Sequence, residues 1–257
     1  MEELVMNSFI GWVGGKNHLK KQIISLIPEN TERYIEVFGG AGWVLFGKEQ
    51  HPKQIEVFND IDGNLINLYR QIKYHCKDLQ NEFDRLQSRE LFFEYKNQIE
   101  NHIPLTDLQR AGRYLYLIRY SFGSKKTTFA TAPKDTLNII EKLPEYQQRL
   151  RKVIIENVDF EHLIKVYDRP NALFYLDPPY VDSEKYYTAY NFSESDHYRL
   201  YNILKNISGK FILSYNDCEF VRNLYKDYHI KPVNRINLLS SAGHNQTKFN
   251  EVIITNY

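Results

Sequence analysis

The chain has 257 residues, enough for one sizeable core or a core domain carrying a smaller insertion. Apolar residues make up 42% and charged residues 25%, the balance of a soluble globular protein, and no stretch approaches the roughly 18 apolar residues of a membrane span. The formal charge is only +1, so any nucleic-acid surface must come from a local patch; the 14% aromatic share suits base stacking or a core equally.

Glu2 and Glu3 open the chain where a targeting signal would carry basic residues, and Cys76 and Cys218 match no disulfide or metal spacing. Both features predict a cytoplasmic protein. The first third alternates short β-type runs with helical stretches: strand over 34–38, helix over 43–50, strand over 55–59, helix over 64–75. From about Lys77 the texture becomes helical and amphipathic, with Leu79, Phe83 and Leu86, then Leu91, Tyr95 and Ile99, then the helix 111–120. A polar loop rich in Thr and Lys follows over 121–133. Between residues 110 and 152 ten Lys/Arg face three Asp/Glu, which makes this the most basic part of the chain. Strand-like runs resume at 153–156, 172–176 and 210–214, with helices over 196–206 and 217–226. A last strand at 252–255 is expected to pair antiparallel with 228–237. The pattern predicts an α/β fold with a mainly parallel sheet, built from 1–76 and 151–257 and interrupted by a helical, basic insertion over 77–150.

Three motifs carry chemistry. Glu36-Val37-Phe38-Gly39-Gly40-Ala41-Gly42 stands where a strand hands over to a helix, so its glycines allow a tight turn and close approach of a ligand to the backbone. Alone, such a turn serves equally to seat a helix on a strand. Asp60, twenty residues after Gly40 at the end of the next strand, is placed to accept both hydroxyls of a ribose. Trp12-Val13-Gly14-Gly15-Lys16 fails as a phosphate-binding loop, because Gly11 stands one position too close to Gly15 and Asn17 follows the lysine. It remains either an ordinary turn or the cover of a ligand pocket. Asp177-Pro178-Pro179-Tyr180 directly follows an apolar strand, and its prolines forbid both continued pairing and an immediate helix. The Asp177 carboxylate and the Pro178 carbonyl can then meet the two N–H groups of an exocyclic amine, with Tyr180 as a stacking face. Ser193-Glu194-Ser195-Asp196 reads as a helix cap, so Asp196 and His197 need no catalytic role.

In this order the motifs resemble the Dam-type (D12 class, alpha-group) DNA adenine-N6 methyltransferases, over nearly the whole chain. The matches are Trp12–Lys16, Phe38–Gly42, Asp60-Ile61, Asn157-Val158-Asp159-Phe160, Asp177–Tyr180 and, more loosely, Ser214-Tyr215-Asn216-Asp217. The resemblance implies a Rossmann-like S-adenosylmethionine-dependent methyltransferase sheet with a helical target-recognition insertion. It implies that Trp12, Lys16, Phe38, Gly39, Gly40, Gly42, Asp60, Asp159, Phe160 and Asp177 surround S-adenosyl-L-methionine, which leaves as S-adenosyl-L-homocysteine, and that no metal takes part. Asp177, Pro178 and Tyr180 would hold an adenine flipped out of double-stranded DNA. Arg119, Lys125, Lys126 and Tyr187 would meet the DNA, with 185–192 as a flap near the flipped base. A monomer is expected, and a cognate restriction endonuclease is a compatible partner.

The insertion departs from the family at Ser121-Phe122-Gly123-Ser124-Lys125-Lys126, where GATC-type members carry an Asn-Gly-Leu-x-Arg-x-Asn-like stretch. A GATC target therefore does not carry over. An RNA adenine methyltransferase shares the tetrapeptide and stays open as an alternative. A catalytically silent DNA-binding protein would need neither Asp60 nor Asp177.

Overall fold

A computed structural model describes residues 6–12, 14–181, 192–235 and 249–257. Its framework is a seven-stranded sheet: β1 (Arg33–Glu36), β2 (Ile55–Asn59), β3 (Ile154–Glu156), β4 (Ala172–Leu176), β5 (Lys210–Asn216), β6 (His229–Arg235) and β7 (Phe249–Thr255), in the order β3-β2-β1-β4-β5-β7-β6. The first five strands run parallel, and β7 enters antiparallel between β5 and β6. The expected terminal pair is present, with His229 opposite Thr255.

Both faces of the sheet are covered, which is why β4 reads as the unbroken apolar run Ala-Leu-Phe-Tyr-Leu rather than as an alternation. Ala172, Phe174 and Leu176 face one core with α8 (Phe160–Tyr167), α9 (Glu194–Leu204) and α10 (Glu219–Leu224). Leu173 and Tyr175 face the other, shared with α3 (Gly63–Glu82), α5 (Asp107–Tyr120) and α7 (Leu143–Leu150). The basic segment is thus packed on the sheet through one continuous core.

Local chemistry sets the helix ends. Asp62 starts α3 by accepting the Asn64 and Leu65 amides, and Thr106 and Gln109 form a reciprocal cap on α5. Asp196 accepts the Ser193 amide at 2.8 Å, the capping role expected for it. Other boundaries differ from the sequence pattern. α3 runs past His75 to Glu82 because Cys76 and Leu79 continue its buried face, and its backbone departs from helical geometry only at His75 itself (φ −132°, ψ 37°). α2 (Trp43–Gly47) stops short of Gln50, where the chain turns extended at Lys48. The helices α1 (Lys20–Ser25), α4 (Arg89–Glu100) and α6 (Leu137–Glu141) complete the described set.

A buried ion triad fastens the helical layer to the sheet. Arg149 on α7 donates to both oxygens of Glu56 on β2, at 2.6 and 2.9 Å, and to the Leu45 carbonyl, while Lys48 approaches Glu56 at 2.5 Å. Burial opposes the charge on Glu56, but Arg149 and Lys48 outweigh it and hold the carboxyl below its ordinary value. The stabilisation is therefore complete above the ordinary carboxylate range and is lost as pH falls through that lowered value. Arg149→Ala leaves a buried carboxylate short of its main partner and is expected to cost about 3–5 kcal/mol. Urea denaturation at neutral pH measures it; an unshifted midpoint would show the triad to be energetically idle.

Candidate active site

β1 pairs with β2 on one side and β4 on the other, so the connections leaving the carboxyl ends of β1 and β4 diverge. Such a switch point opens a crevice in an α/β sheet. Here it is a cleft of about 640 Å³.

The glycine turn after β1 forms one wall. Gly40 and Gly42 adopt left-handed φ of 49° and 65°, and a Cβ on Gly39 would lie 2.3 Å from the Phe58 ring. The Gly39 amide donates to the Asn59 carbonyl at 2.7 Å, and the Gly40 amide to Asp60 Oδ2 at 2.8 Å. Asp60 Oδ1 accepts the Asp62 amide at 2.9 Å. A carboxylate has about four acceptor positions, so two of them remain. Burial pushes the Asp60 carboxyl up to about 6. Two asparagines tie the neighbouring loops together: Asn59 bonds the Val37 and Val158 carbonyls and the Val158 amide, and Asn157 donates to the Asp60 carbonyl at 2.8 Å.

Opposite lies a cluster of charges around Asp177. Lys16, only 4% exposed, stands 2.7 Å from Asp177 Oδ1 and 3.9 Å from Glu251 Oε2 on β7, and donates to the Gly14 carbonyl at 3.0 Å. Its ammonium also lies 4.7 Å from the centre of the Tyr180 ring. The Tyr180 hydroxyl donates to Glu251 at 3.0 Å, and Ser214 Oγ on β5 donates to Asp177 at 3.2 Å. Burial raises the Asp177 carboxyl above its ordinary value, against the opposing pull of Lys16 and Ser214. Glu36, accepting from the Tyr34 hydroxyl and the Leu45 amide, is pushed by burial to about 8. A carboxyl at that value is mainly protonated at neutral pH. Pro178 is buried, Pro179 lines the cleft, and Asn216 brackets the backbone of Val181 through its side-chain amide.

Aromatic rings close the remaining side. Phe38 lies 5.7 Å from both Phe160 and Phe192, centre to centre. Arg199 covers Phe160 and pairs at 2.9 Å with Asp159, which caps α8 through the Glu161 amide. Gly15 lacks the Cβ that would stand 2.6 Å from Trp43 Nε1, a buried donor with no hydrogen-bond partner among the described residues.

The sequence-derived residues Trp12, Lys16, Phe38, Gly39, Gly40, Asp60, Asp159, Phe160 and Asp177 all line this one cleft. Gly42 sits behind it as the N-cap of α2, against Phe46 and the Tyr69 hydroxyl. Tyr180 borders the cleft through its contacts to Lys16 and Glu251. The four basic or aromatic positions assigned to DNA diverge. Lys125 is exposed at the cleft mouth, whereas Lys126 turns inward, 4.2 Å above the Trp12 ring. Arg119 stands off the cleft, half-buried with its guanidinium 3.5 Å from the Asp135 carbonyl. Tyr187 lies outside the described residues, as does the expected flap apart from Phe192. Sequence reasoning missed Glu251 and gave Glu36 no role. An acid heading the apolar run 252–255 was the available signal for Glu251. Among the described residues no group of three or more His, Cys, Asp or Glu is placed to hold a metal, and no helix is long and apolar enough to cross a membrane.

The family model for the D12 class N6 adenine-specific DNA methyltransferases matches residues 12–237, from the Trp12 turn through the tetrapeptide and beyond. The chain belongs to that family. It is 27% identical to the Type II methyltransferase M1.LlaDCHI of Lactococcus lactis subsp. cremoris, covering 98% of this chain and 96% of that protein. It is 23% identical to a DNA adenine methylase of Haemophilus influenzae over 95% of this chain and 92% of the relative. The Type II methyltransferase M.FokI of Planomicrobium okeanokoites is 24% identical over 98% of this chain but only 43% of its own length. The enzyme is thus a site-specific DNA adenine methyltransferase, and membership of a methyltransferase family implies S-adenosylmethionine as donor.

Gly39 gives a direct test of the turn. Gly39→Ala places a methyl against the buried Phe58 ring and 2.9 Å from the Asn59 carbonyl. The expected cost is about 1–3 kcal/mol of stability, together with weakened cofactor binding. Chemical denaturation and calorimetric titration with S-adenosylhomocysteine read the two effects separately.

Proposed function

We propose that the enzyme methylates N6 of an adenine flipped out of double-stranded DNA into the cleft beside Asp177. The observation that carries this reading is the setting of Asp177: half-buried at the switch point, anchored through Oδ1 by Lys16 and Ser214, and followed by two prolines. Anchoring one oxygen leaves the other to accept from an exocyclic amine, with the Pro178 carbonyl as the second acceptor. Accepting both N–H groups localises the nitrogen lone pair, and Tyr180, steadied by Glu251, offers the face on which the base stacks. An adenine N6 is unreachable inside a stacked duplex, so extrusion of the base is required.

The residues present fit the donor. Trp12, the Phe38–Phe160 pair and the glycine turn suit an adenosyl group, Asp60 retains acceptor positions for ribose hydroxyls, and Trp43 Nε1 is a buried donor without a protein acceptor among the described residues. When bound, S-adenosylmethionine would supply an electrophilic methyl group: the amine nitrogen would attack the methyl carbon in line, with the thioether leaving as S-adenosylhomocysteine and one N6 proton released. The chain's own contribution is positioning and a fixed electrostatic environment, without need of a strong base or a metal. In this reading 1–76 and 151–257 form the catalytic part, and 77–150 recognises the target through Lys125 and its exposed neighbour Phe122. The enzyme acts in the cytoplasm as a monomer, and a restriction endonuclease of the same specificity is the natural companion.

Asp177→Ala is expected to abolish transfer of labelled methyl groups to unmethylated DNA while DNA retention in the absence of cofactor survives. Full transfer by that variant would sink the mechanism, and transfer to RNA alone would sink the substrate class. A second expectation concerns pH. Ribose hydroxyls need the ionised Asp60, so S-adenosylhomocysteine affinity should be level above about pH 6 and fall about tenfold per unit below it. A flat profile through that range would contradict the role given to Asp60.

A further inference from the structure

Lys126 comes from the basic loop yet faces the cleft. The chain reaches it through Gly123 and Ser124, at φ of 60° and 56°, and Lys126 itself sits at 63°. Left-handed geometry is costly for a serine and a lysine, and it persists only where the surroundings impose it. Ser121, buried at the end of α5, supplies part of that constraint by accepting the Lys126 amide through Oγ at 3.0 Å. The result is an ammonium 4.2 Å above the Trp12 ring and 5.2 Å from the Tyr114 ring. Tyr114 in turn donates to Asp62 at 2.5 Å, and Asp62 donates its amide to Asp60. Lys125, the neighbour of Lys126, is exposed instead.

We propose that Lys126 is a cofactor-site residue rather than a DNA contact: its ammonium caps Trp12 and serves as counter-cation to Asp60 and Asp62, linking the recognition loop to the ribose subsite. The inference rests on Asp60 holding the ribose hydroxyls, as proposed above. The charged groups facing the ammonium are Asp60 and Asp62 after β2, with Lys125 on its own loop and the Lys96–Glu100 pair of α4 on the far lining of the cleft. Burial lowers the Lys126 pKa while the two aspartates oppose that fall, and reciprocally Lys126 pulls the Asp60 carboxyl down. Without Lys126 the Asp60 carboxyl loses one of the influences that pull it down and rises further above about 6.

The test is calorimetric titration of the full-length protein with S-adenosylhomocysteine across the range from about pH 5.5 to 8.5, for wild type, Lys126→Gln, Lys126→Arg and Asp60→Asn. Lys126→Gln should weaken binding by about three- to eightfold near pH 5.5 and by no more than about twofold at neutral pH, through an acid limb moved up by about half to one pH unit. Affinity should recover at the alkaline end, and Lys126→Arg should keep the wild-type limb. In parallel, the salt dependence of binding to a duplex of mixed sequence should keep its slope in Lys126→Gln. A wild-type acid limb in Lys126→Gln, or a DNA salt slope reduced by about one, overturns the inference and returns Lys126 to the DNA surface. If Asp60→Asn binds as wild type does, the ribose reading itself falls, and this inference with it; loss in Asp60→Asn with no change in Lys126→Gln removes only the inference.

Discussion

Lys16 is a cation held almost wholly out of water, and the cleft is organised around the carboxylates that pay for its burial. An isolated ammonium in such a place would cost several kcal/mol, so its partners must be fixed before the site can exist. Asp177 arrives from the end of β4, Glu251 from β7, and the Gly14 carbonyl from the turn that carries Lys16 itself. Three segments widely separated in sequence thus meet at one charge. Their meeting also anchors one oxygen of Asp177 and brings the Tyr180 ring against the ammonium and its hydroxyl against Glu251. The setting of the tetrapeptide follows from this neutralisation.

The same device recurs deeper in the molecule. Arg149, Lys48 and Glu56 bring the last helix of the basic segment to the underside of β2, just as Lys16 brings the N-terminal turn to β4. Between the two lies the aromatic packing of Phe9, Phe46, Phe58 and Tyr69, and the Tyr69 hydroxyl reaches up to the Gly40 carbonyl in the glycine turn. The helical layer, the core and the site are therefore in mechanical contact through α3.

Much of this was legible in the sequence because it depends on local rules. The alternation of apolar runs with helical stretches gave the parallel strands in order, and Gly39–Gly42, Asp60 and Asp177–Tyr180 each fall at the carboxyl end of a strand, where such residues are useful. The helix α8 escaped notice because its apolar stripe is short, although Asp159 marks its cap. Glu251 escaped because one acid at the head of an apolar strand reads as its exposed end, when the strand is in fact an inner one between β5 and β6. Lys126 and Lys125 are indistinguishable as sequence, and only the left-handed backbone separates an inward lysine from an outward one.

The sequence by itself determined the fold class, the order of the strands along the chain and the three glycine- or proline-bearing turns, while the reaction entered through the resemblance of their order to a known family. These are properties of spacing and of residue type at element ends. What tertiary structure decided is which charges share the cleft: that Lys16 closes on Asp177 and Glu251, that Glu36 is protonated beside them, and that Arg119 stands aside. Charge pairing across tens to hundreds of residues depends on how the sheet orders its strands and on how far each site is removed from water, and neither quantity is written in any local pattern.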